Sequence, residues 1–262
     1  MSGPYRNSIV TFLDILGFSN IVTSRGADEI TQMLDAIEQT AAAPTGDGSD
    51  KTDILSFSDS VVRVRPAKKE ESAQALLDEI KELAKAQWDL MSLGILIRGG
   101  TTIGEAATSP GRAFGPGFIR AYGLESKLAG VPRIVIDPAI ITTIRAHFGS
   151  AQTITERRRL ISSFKEHLKL GGDGIWFVDY IHSVRRTGMS KTQHRSSLAT
   201  FRDVIIKGAN SHKPNSLVLA KYLWLIRYFN SSAKRLHADK PDLVIRRTDV
   251  PIADELLLPR IR

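Results

Sequence analysis

The fold is decided by the stretch Ser8-Ile9-Val10-Thr11-Phe12-Leu13-Asp14-Ile15-Leu16-Gly17-Phe18-Ser19. It begins as an apolar, β-branched run, which predicts a buried strand, and Gly17 then predicts a turn into a helix. Asp14 interrupts the run near its end, and a carboxylate among apolar side chains is costly to bury unless a partner meets its charge. This stretch alone leaves two partners open: a buried arginine or turn amide, or a metal ion.

A second acid lies at a predicted hairpin. Residues 53–64 read Asp-Ile-Leu-Ser-Phe-Ser-Asp-Ser-Val-Val-Arg-Val, which predicts two short strands around a turn that carries Asp59. A strand-end carboxylate beside a hairpin-tip carboxylate can hold two divalent cations, with substrate phosphates as further ligands. Asp14 and Asp59 are therefore candidate metal ligands.

The remaining pattern predicts alternating strands and helices. Helices are predicted over 27–43, 68–93, 117–128 and 156–170, strands over 95–105, 133–136 and 174–181, and loops over 44–51 and 106–112. The order β-α-β-β-α-β, with a further helix and strand, is that of an α+β, ferredoxin-like (split βαβ) fold.

The chain after this pattern is predicted to be helical. Helices are expected over 198–206 and 215–229, and the Pro-interrupted end over 241–262 is expected to wrap a surface. We expect one domain over 1–184 and a helical C-terminal extension over 185–262 that packs on the same unit.

Bulk composition narrows the class of protein. Hydrophobic residues make up 42% and charged residues 24% of 262, with no cysteine, so disulfides and thiolate metal sites are excluded. No apolar run approaches the roughly 20 residues that span a bilayer, and the N-terminus lacks a secretory pattern. We therefore expect a cytoplasmic protein without a membrane segment.

The net charge of +8 and the pI near 9.8 suit an anionic partner, either nucleic acid or a triphosphate. Basic runs at 157–159, 185–186, 234–235 and 246–247 lie in the second half of the chain, without interleaved aromatic residues. A solvated basic face is the simpler interpretation, and nucleic acid is not the expected partner.

Five blocks resemble a known family. They are Phe12–Phe18, Phe57–Ser60, Ile97–Glu105 (Ile-Arg-Gly-Gly-Thr-Thr-Ile-Gly-Glu), Phe114–Ser126 (Phe-Gly-Pro-Gly-Phe-Ile-Arg-Ala-Tyr-Gly-Leu-Glu-Ser) and Val131–Ile136. Their order resembles that of class III nucleotidyl cyclases, and the details are most similar to the pyrimidine cyclases of bacterial anti-phage (Pycsar) systems. The resemblance covers roughly residues 8–180 and implies the same ferredoxin-like fold.

The resemblance implies a metal and phosphate site. Asp14 and Asp59, with the backbone carbonyl of Ile15, match the ligands of two Mg²⁺ or Mn²⁺ ions. The remaining phosphate-binding positions are the turn at Gly17 and Phe18, Arg98, and Lys169 just before the closing strand.

Two departures from the family concern the base. Purine cyclases read the base with a lysine and an acid. The lysine lies four residues before the second metal aspartate, where this chain has Leu55. The position of the acid is taken here by Arg112. This favours UTP or CTP over ATP, with Arg112 donating to a pyrimidine carbonyl. A purine cyclase with an unusual base pocket remains an alternative.

A third departure concerns the transition state. The family's asparagine and arginine, four residues apart on one helix, correspond here to Ile119 and Gly123, and Arg120 and Tyr122 are the nearest polar candidates. We take Arg120 as the candidate catalytic residue. A catalytically inactive, cyclase-like sensor of nucleotide or nucleic acid remains the alternative from another class.

The family places its site between two chains. One catalytic unit per chain therefore implies a homodimer with active sites at its interface. The implied product is a cyclic pyrimidine monophosphate that acts as a second messenger in phage defence.

Overall fold

The computed structural model describes residues 5–41, 52–67, 72–150, 153–186, 188–212 and 215–251. The chain divides into two compact units, residues 1–189 and 190–262. The loop predicted over 44–51 lies outside the described residues.

The first unit alternates helices and strands. In chain order its elements are β1 (Arg6–Ile15), α1 (Phe18–Ser24), α2 (Ala27–Ala41), β2 (Asp53–Phe57), β3 (Ser60–Pro66), α3 (Ser72–Ser92), β4 (Ile97–Ser109), β5 (Arg112–Phe114), α4 (Pro116–Leu128), β6 (Ile134–Ile136), α5 (Pro138–Ser150), α6 (Ile154–Lys165), β7 (Leu168–Leu170), β8 (Trp176–Val178) and α7 (Tyr180–Arg186).

One sheet organises these elements. Its strand order is β2-β3-β1-β4-β6-β8-β7, with β5 paired to the end of β4. Strand β1 is antiparallel to both β3 and β4, and β4 is parallel to β6. The order β2-β3-β1-β4 is that of a split βαβ sheet, so the predicted ferredoxin-like fold is confirmed.

The two faces of β1 have different neighbours, because successive side chains of a strand point to opposite faces. On one face, the Thr11 hydroxyl donates to Glu79 Oε1 of α3 at 3.0 Å. On the other face, Val10 and Phe12 pack in a cluster with Ala121 of α4. Asp14 alternates with Phe12 and therefore lies on the α4 face.

Glycines bring α4 close to β4. A Cβ on Gly100 would lie 2.5 Å from Leu124 Cβ and 2.8 Å from the Glu125 amide nitrogen. A Cβ on Gly104 would lie 3.0 Å from the Cα of Gly117. The absence of side chains at these positions lets the helix pack directly against the strand that carries Arg98.

The opposite face of the sheet holds a buried ionic network. Arg63 on β3 donates to Glu79 at 2.8 and 2.9 Å, and Arg65 donates to the same carboxylate at 3.1 Å. Glu82 of α3 completes the network. Burial alone would raise the pKa of Glu79, but the two arginines and the Thr11 hydroxyl lower it to about 2.

Several predicted elements differ from the observed ones. The loop predicted over 106–112 is wrong, because β4 runs to Ser109 and turns into β5 through Pro110 and Gly111, whose φ is +71°. The helix predicted over 156–170 ends at Lys165, and the strand predicted over 174–181 is limited to β8. Strand β7 and helix α5 were not predicted.

The second unit is helical where it is described. It contains α8 (Lys191–Ser211), α9 (Ser216–Leu236) and a 3-10 turn (Pro241–Leu243). Ser190 and Gln193 form a capping box at the start of α8, and the Asn215 side chain caps α9. The two predicted helices are confirmed but longer. Among the described residues, none of the helices has the length and apolarity that crossing a bilayer requires.

Candidate active site

Asp14 and Asp59 lie at the same end of the sheet. Asp14 of β1 is paired in register with Ser60 of β3, which directly follows Asp59 in the hairpin turn. The turn has a left-handed residue, Ser58, with φ 55°. The amide of Ile15 donates to the Asp59 carbonyl at 3.2 Å, which ties the hairpin tip to the end of β1.

Arg98 joins Asp14 to a third acid. Arg98 is the register partner of Asp14 on β4, and its Nε donates to Asp14 Oδ2 at 2.9 Å. The same Nε lies 2.8 Å from Oε1 of Glu125, an α4 residue whose side chain is 3% exposed. One guanidinium therefore lies between two carboxylates.

The negative charges of this cluster affect one another. Burial raises the pKa of Asp14; Arg98 opposes this effect, and the charge of Asp59 adds to it. Burial also raises the pKa of Glu125, again against Arg98, and the charges of Asp14 and Asp59 raise it further. The cluster contains three carboxylates and one guanidinium, so it has an excess of two negative charges when all are ionised.

This arrangement fits divalent cations. Within the part of the chain that the structure describes, no group of three or more His, Cys, Asp or Glu side chains is arranged to hold a metal ion. Asp14 and Asp59 instead form an open, oxygen-only pair with unbalanced charge, which suits Mg²⁺ or Mn²⁺ with further ligands from phosphates. Ile15, the third predicted ligand, is the last residue of β1.

The turn after β1 forms as predicted. Gly17 is the N-cap of α1 with φ 83° and ψ 22°, a left-handed conformation that glycine adopts without strain. Helix α1 has seven residues and begins at Phe18. Phosphate binding by Gly17 and Phe18 stays a prediction.

The two predicted base-reading residues are in different environments. Leu55 on β2 is buried and pairs with Val62 of β3. Arg112 begins β5 and is exposed, and its side chain makes no hydrogen bond or ion pair with a described residue. Thr108, on the same β4–β5 hairpin, donates to Asp53 of β2. This contact folds the hairpin toward the strand that carries Leu55.

The predicted catalytic Arg120 is held by an acid. Its Nε and one terminal nitrogen donate to the two carboxylate oxygens of Asp137 at 2.7 and 3.0 Å. Burial would raise the pKa of Asp137, but hydrogen bonds from Arg120, the Ala139 amide and Thr102 lower it. The Arg120 side chain is 56% exposed, so it lies at the surface of α4.

Lys169 lies far from Asp14 within one chain. It pairs with Phe177 on β8, which pairs with Val135 on β6, and Val135 pairs with Gly100 on β4. Gly100 pairs with Phe12, so four strand spacings separate Lys169 from β1, roughly 19 Å at the usual spacing. The sheet of one chain therefore does not bring Lys169 to Asp14.

Sequence reasoning missed Glu125. It lies within the resembling block, but we assigned it no role. Its signal was present, because an acid four residues after Ala121 and next to Leu124 falls on the apolar face of the helix. Each of these three residues is buried.

Known protein families and curated proteins show no match to this chain, whereas some solved structures do. A scan against models of protein families finds no match, and a search of curated proteins finds none. Among solved structures, the adenylyl cyclase CyaB from P. aeruginosa is 19% identical at a TM-score of 0.42, over 55% of this chain and 82% of that one. The guanylyl cyclase Cya2 is 17% identical at a TM-score of 0.44, over 68% of this chain and 94% of that one.

A third similar structure is the monomeric guanylyl cyclase domain of the RhoGC fusion protein from the fungus Blastocladiella emersonii. It is 14% identical at a TM-score of 0.41, over 68% of this chain and 96% of that one. The α+β, ferredoxin-like fold assigned here rests on the strand order and pairing of the chain itself.

Proposed function

We propose that this chain is a metal-dependent nucleotidyl cyclase that converts UTP or CTP into the 3′,5′-cyclic monophosphate and pyrophosphate. The observation that carries the proposal is the proximity of Asp14 and Asp59, whose side chains affect each other at one end of the sheet. The sequence resemblance supplies the reaction class.

In the proposed reaction, the ribose 3′-oxygen loses its proton to solvent water and bonds to the α-phosphorus, while the bond from that phosphorus to the pyrophosphate oxygen breaks and pyrophosphate leaves. Divalent cations bound at the site supply a lowered pKa for the 3′-hydroxyl and neutralise charge on the phosphates. Asp14 and Asp59 hold these cations. Arg98, which donates to Asp14 in the free chain, is the proposed donor to the triphosphate.

The preference for a pyrimidine rests on Leu55 and Arg112. A buried leucine offers no polar group to an adenine edge, and guanidinium donors suit the carbonyl oxygens of uracil or cytosine. The Arg112 side chain forms no ion pair with a described residue, so its N–H groups are available to donate to a base.

A homodimer is the assembly that suits these residues best. Lys169 does not reach Asp14 of its own chain, as the strand spacings indicate. Large apolar side chains on the Asp14 side of the sheet are exposed, among them Ile119 at 69% and Tyr122 at 51% of α4. A second copy would cover this surface and add its own residues to each site.

One observation favours an inactive, nucleotide-binding module instead. The positions of the family's transition-state residues hold Ile119 and Gly123, which cannot donate side-chain hydrogen bonds to a phosphate. The reaction assay separates the two functions.

The test is incubation of purified protein with each of the four NTPs and Mn²⁺, followed by mass spectrometry. We expect one cyclic pyrimidine monophosphate and pyrophosphate, and loss of both products in the Asp14→Asn and Asp59→Asn variants with unchanged circular dichroism. Cyclic AMP or cyclic GMP would contradict the pyrimidine preference. Binding of NTP without any product would support the inactive module.

A further inference from the structure

Glu125 has a buried carboxylate oxygen without a hydrogen bond from a described residue. Its Oε1 is buried and 2.8 Å from Arg98 Nε, yet it accepts no hydrogen bond from a described residue. The hydrogen bond from that Nε goes to Asp14 Oδ2 instead. Arg98 therefore forms a hydrogen bond with Asp14, whereas its interaction with Glu125 is an ion pair without a hydrogen bond.

The position of Glu125 is fixed by the fold. Helix α4 packs on β4 at Gly100, where a side chain would collide with Leu124 and with the amide of Glu125. The carboxylate is therefore held beside Arg98 by the contact between a helix and a strand, and not by a flexible loop.

A divalent cation on Asp14 changes this balance. The cation and the Arg98 guanidinium carry charge of the same sign and compete for the same carboxylate. When Asp14 is taken, Glu125 is the remaining acid in contact with Arg98, and its Oε1 has unused acceptor capacity.

We infer that Glu125 is a positioning residue, which draws Arg98 away from Asp14 and retains it beside the cation site. This inference rests on the proposed function, because it assigns to that site the residue that couples metal binding to Arg98. In this inference, Arg98 competes with the metal ion for Asp14. Glu125 weakens that competition because it accepts Arg98 in place of Asp14.

The test is a double-mutant cycle with Mn²⁺ binding as its readout. Binding to the full chain, without nucleotide, is followed from the electron paramagnetic resonance signal of free Mn²⁺. We expect Glu125→Gln to weaken Mn²⁺ binding about tenfold, because Asp14 is then the only acid among the described residues that pairs with Arg98. Arg98→Gln should tighten binding, and Glu125→Gln added to Arg98→Gln should have little further effect.

The alternative is that the charge of Glu125 attracts the metal ion directly, without acting through Arg98, and this alternative predicts a different result. In that case Glu125→Gln weakens Mn²⁺ binding equally with and without Arg98, which would overturn the inference, as would no effect in either background. Glu105→Gln, an exposed neutralisation on the same strand as Arg98, is the matched control. Glu125→Asp keeps the charge and should retain most of the wild-type affinity if the variants fold alike.

The inference and the proposed function fail in different ways. A wild-type chain that binds Mn²⁺ but turns over no NTP contradicts the cyclase, while the cycle still tests Glu125. A wild-type chain that makes a cyclic nucleotide, with additive effects in the cycle, contradicts the role of Glu125 alone. A wild-type chain that makes a cyclic nucleotide but binds no Mn²⁺ without nucleotide contradicts the role of Glu125 alone, because substrate phosphates supply further ligands in the proposed reaction.

Discussion

At the scale of single residues, Arg112 is the strongest determinant of the proposed base preference. Its guanidinium is exposed at the start of β5 and has no hydrogen bond or ion pair with a described residue. A residue without such contacts contributes little to folding, so a change in activity after its substitution reports on the substrate.

We expect Arg112→Ala to lower kcat/KM for the preferred pyrimidine NTP by about tenfold to a hundredfold, the usual worth of a lost hydrogen bond to a base. Arg112→Lys, which keeps the charge but not the planar fork, should fall in between. The measurement is steady-state kinetics with UTP and CTP. Arg145→Ala on α5 is the matched control, and equal kinetics for the Arg112 and Arg145 variants would exclude base contact by Arg112.

The predictable residues are those that break a local pattern. Asp14 and Asp59 could be selected because each acid interrupts an apolar run, and the structure brings them together. The partner of Arg98 could not be selected, because its contacts come from residues 14 and 125, which are distant in sequence. Spacing along the chain carries no information about such a contact.

At the scale of elements, the contact between α4 and β4 positions Arg98 and Glu125. It depends on Gly100, since a Cβ there would lie 2.5 Å from Leu124 Cβ and 2.7 Å from the Ala121 carbonyl oxygen. Gly123 of the same helix differs, because a Cβ there would meet nothing within 4 Å. The two glycines form a matched pair.

We expect Gly100→Ala to lower the free energy of unfolding by about 1–3 kcal/mol, because the added methyl group overpacks the helix against the strand. Gly123→Ala should raise it by up to about 1 kcal/mol, because alanine is the better helix former. Urea unfolding followed by circular dichroism measures both. A neutral Gly100→Ala would mean that α4 moves without cost and that its packing does not fix Glu125.

The ionic network between β3 and α3 gives a second prediction at this scale. Glu79 is buried and its pKa is lowered from 4.5 to about 2, so its contribution to stability is present above the higher value and is lost as the pH falls toward the lower. We expect Glu79→Gln to cost about 3–5 kcal/mol at neutral pH, since it leaves a buried arginine with one partner fewer.

The pH dependence of this cost checks its origin. The difference in unfolding free energy between wild type and Glu79→Gln should shrink as the pH falls from about 5 to about 3, because Glu79 then takes up a proton in the unfolded wild type but stays ionised in the folded wild type. Glu38→Gln, an exposed position on α2, should show no such difference. A cost that does not vary with pH would indicate a packing defect.

The missed elements share a physical cause. Strand β1 was predictable because a long apolar run marks it, whereas β7 has three residues and depends on its pairing with β8. Ser109-Pro110-Gly111-Arg112 has the composition of a tight turn, with proline before a left-handed glycine, but nothing in the sequence shows that strands pair on both sides of it. Short strands are stabilised by partners that sequence does not reveal.

At the scale of the whole molecule, the net charge is unevenly divided. The first 189 residues contain 22 Lys and Arg and 22 Asp and Glu, while the last 73 contain 14 and 6. The positive charge therefore belongs to the helical unit, and the unit with the candidate site is neutral. Net charge is thus no evidence for a triphosphate at that site, and the local arrangement of Arg98 with the carboxylates is the relevant observation.

The proposed homodimer makes a prediction that a single-chain site does not. If one copy supplies Asp14 and Asp59 and the other supplies Arg112, then Asp14→Asn and Arg112→Ala damage opposite halves of each site. A mixed dimer has one site with both defects and one site with neither. Two variants of low activity should therefore regain activity when they are combined.

We expect a 1:1 mixture of Asp14→Asn and Arg112→Ala, after subunits exchange, to reach about a quarter of wild-type activity, because half of the dimers are mixed and each has one intact site. The measurement is cyclic nucleotide formation before and after incubation of the mixture, with sedimentation to confirm exchange. Asp14→Asn mixed with Asp59→Asn is the control, since both defects then fall on the same half and no mixed dimer has an intact site. Exchange without recovery in the first mixture would show that Asp14 and Arg112 serve the site from the same chain.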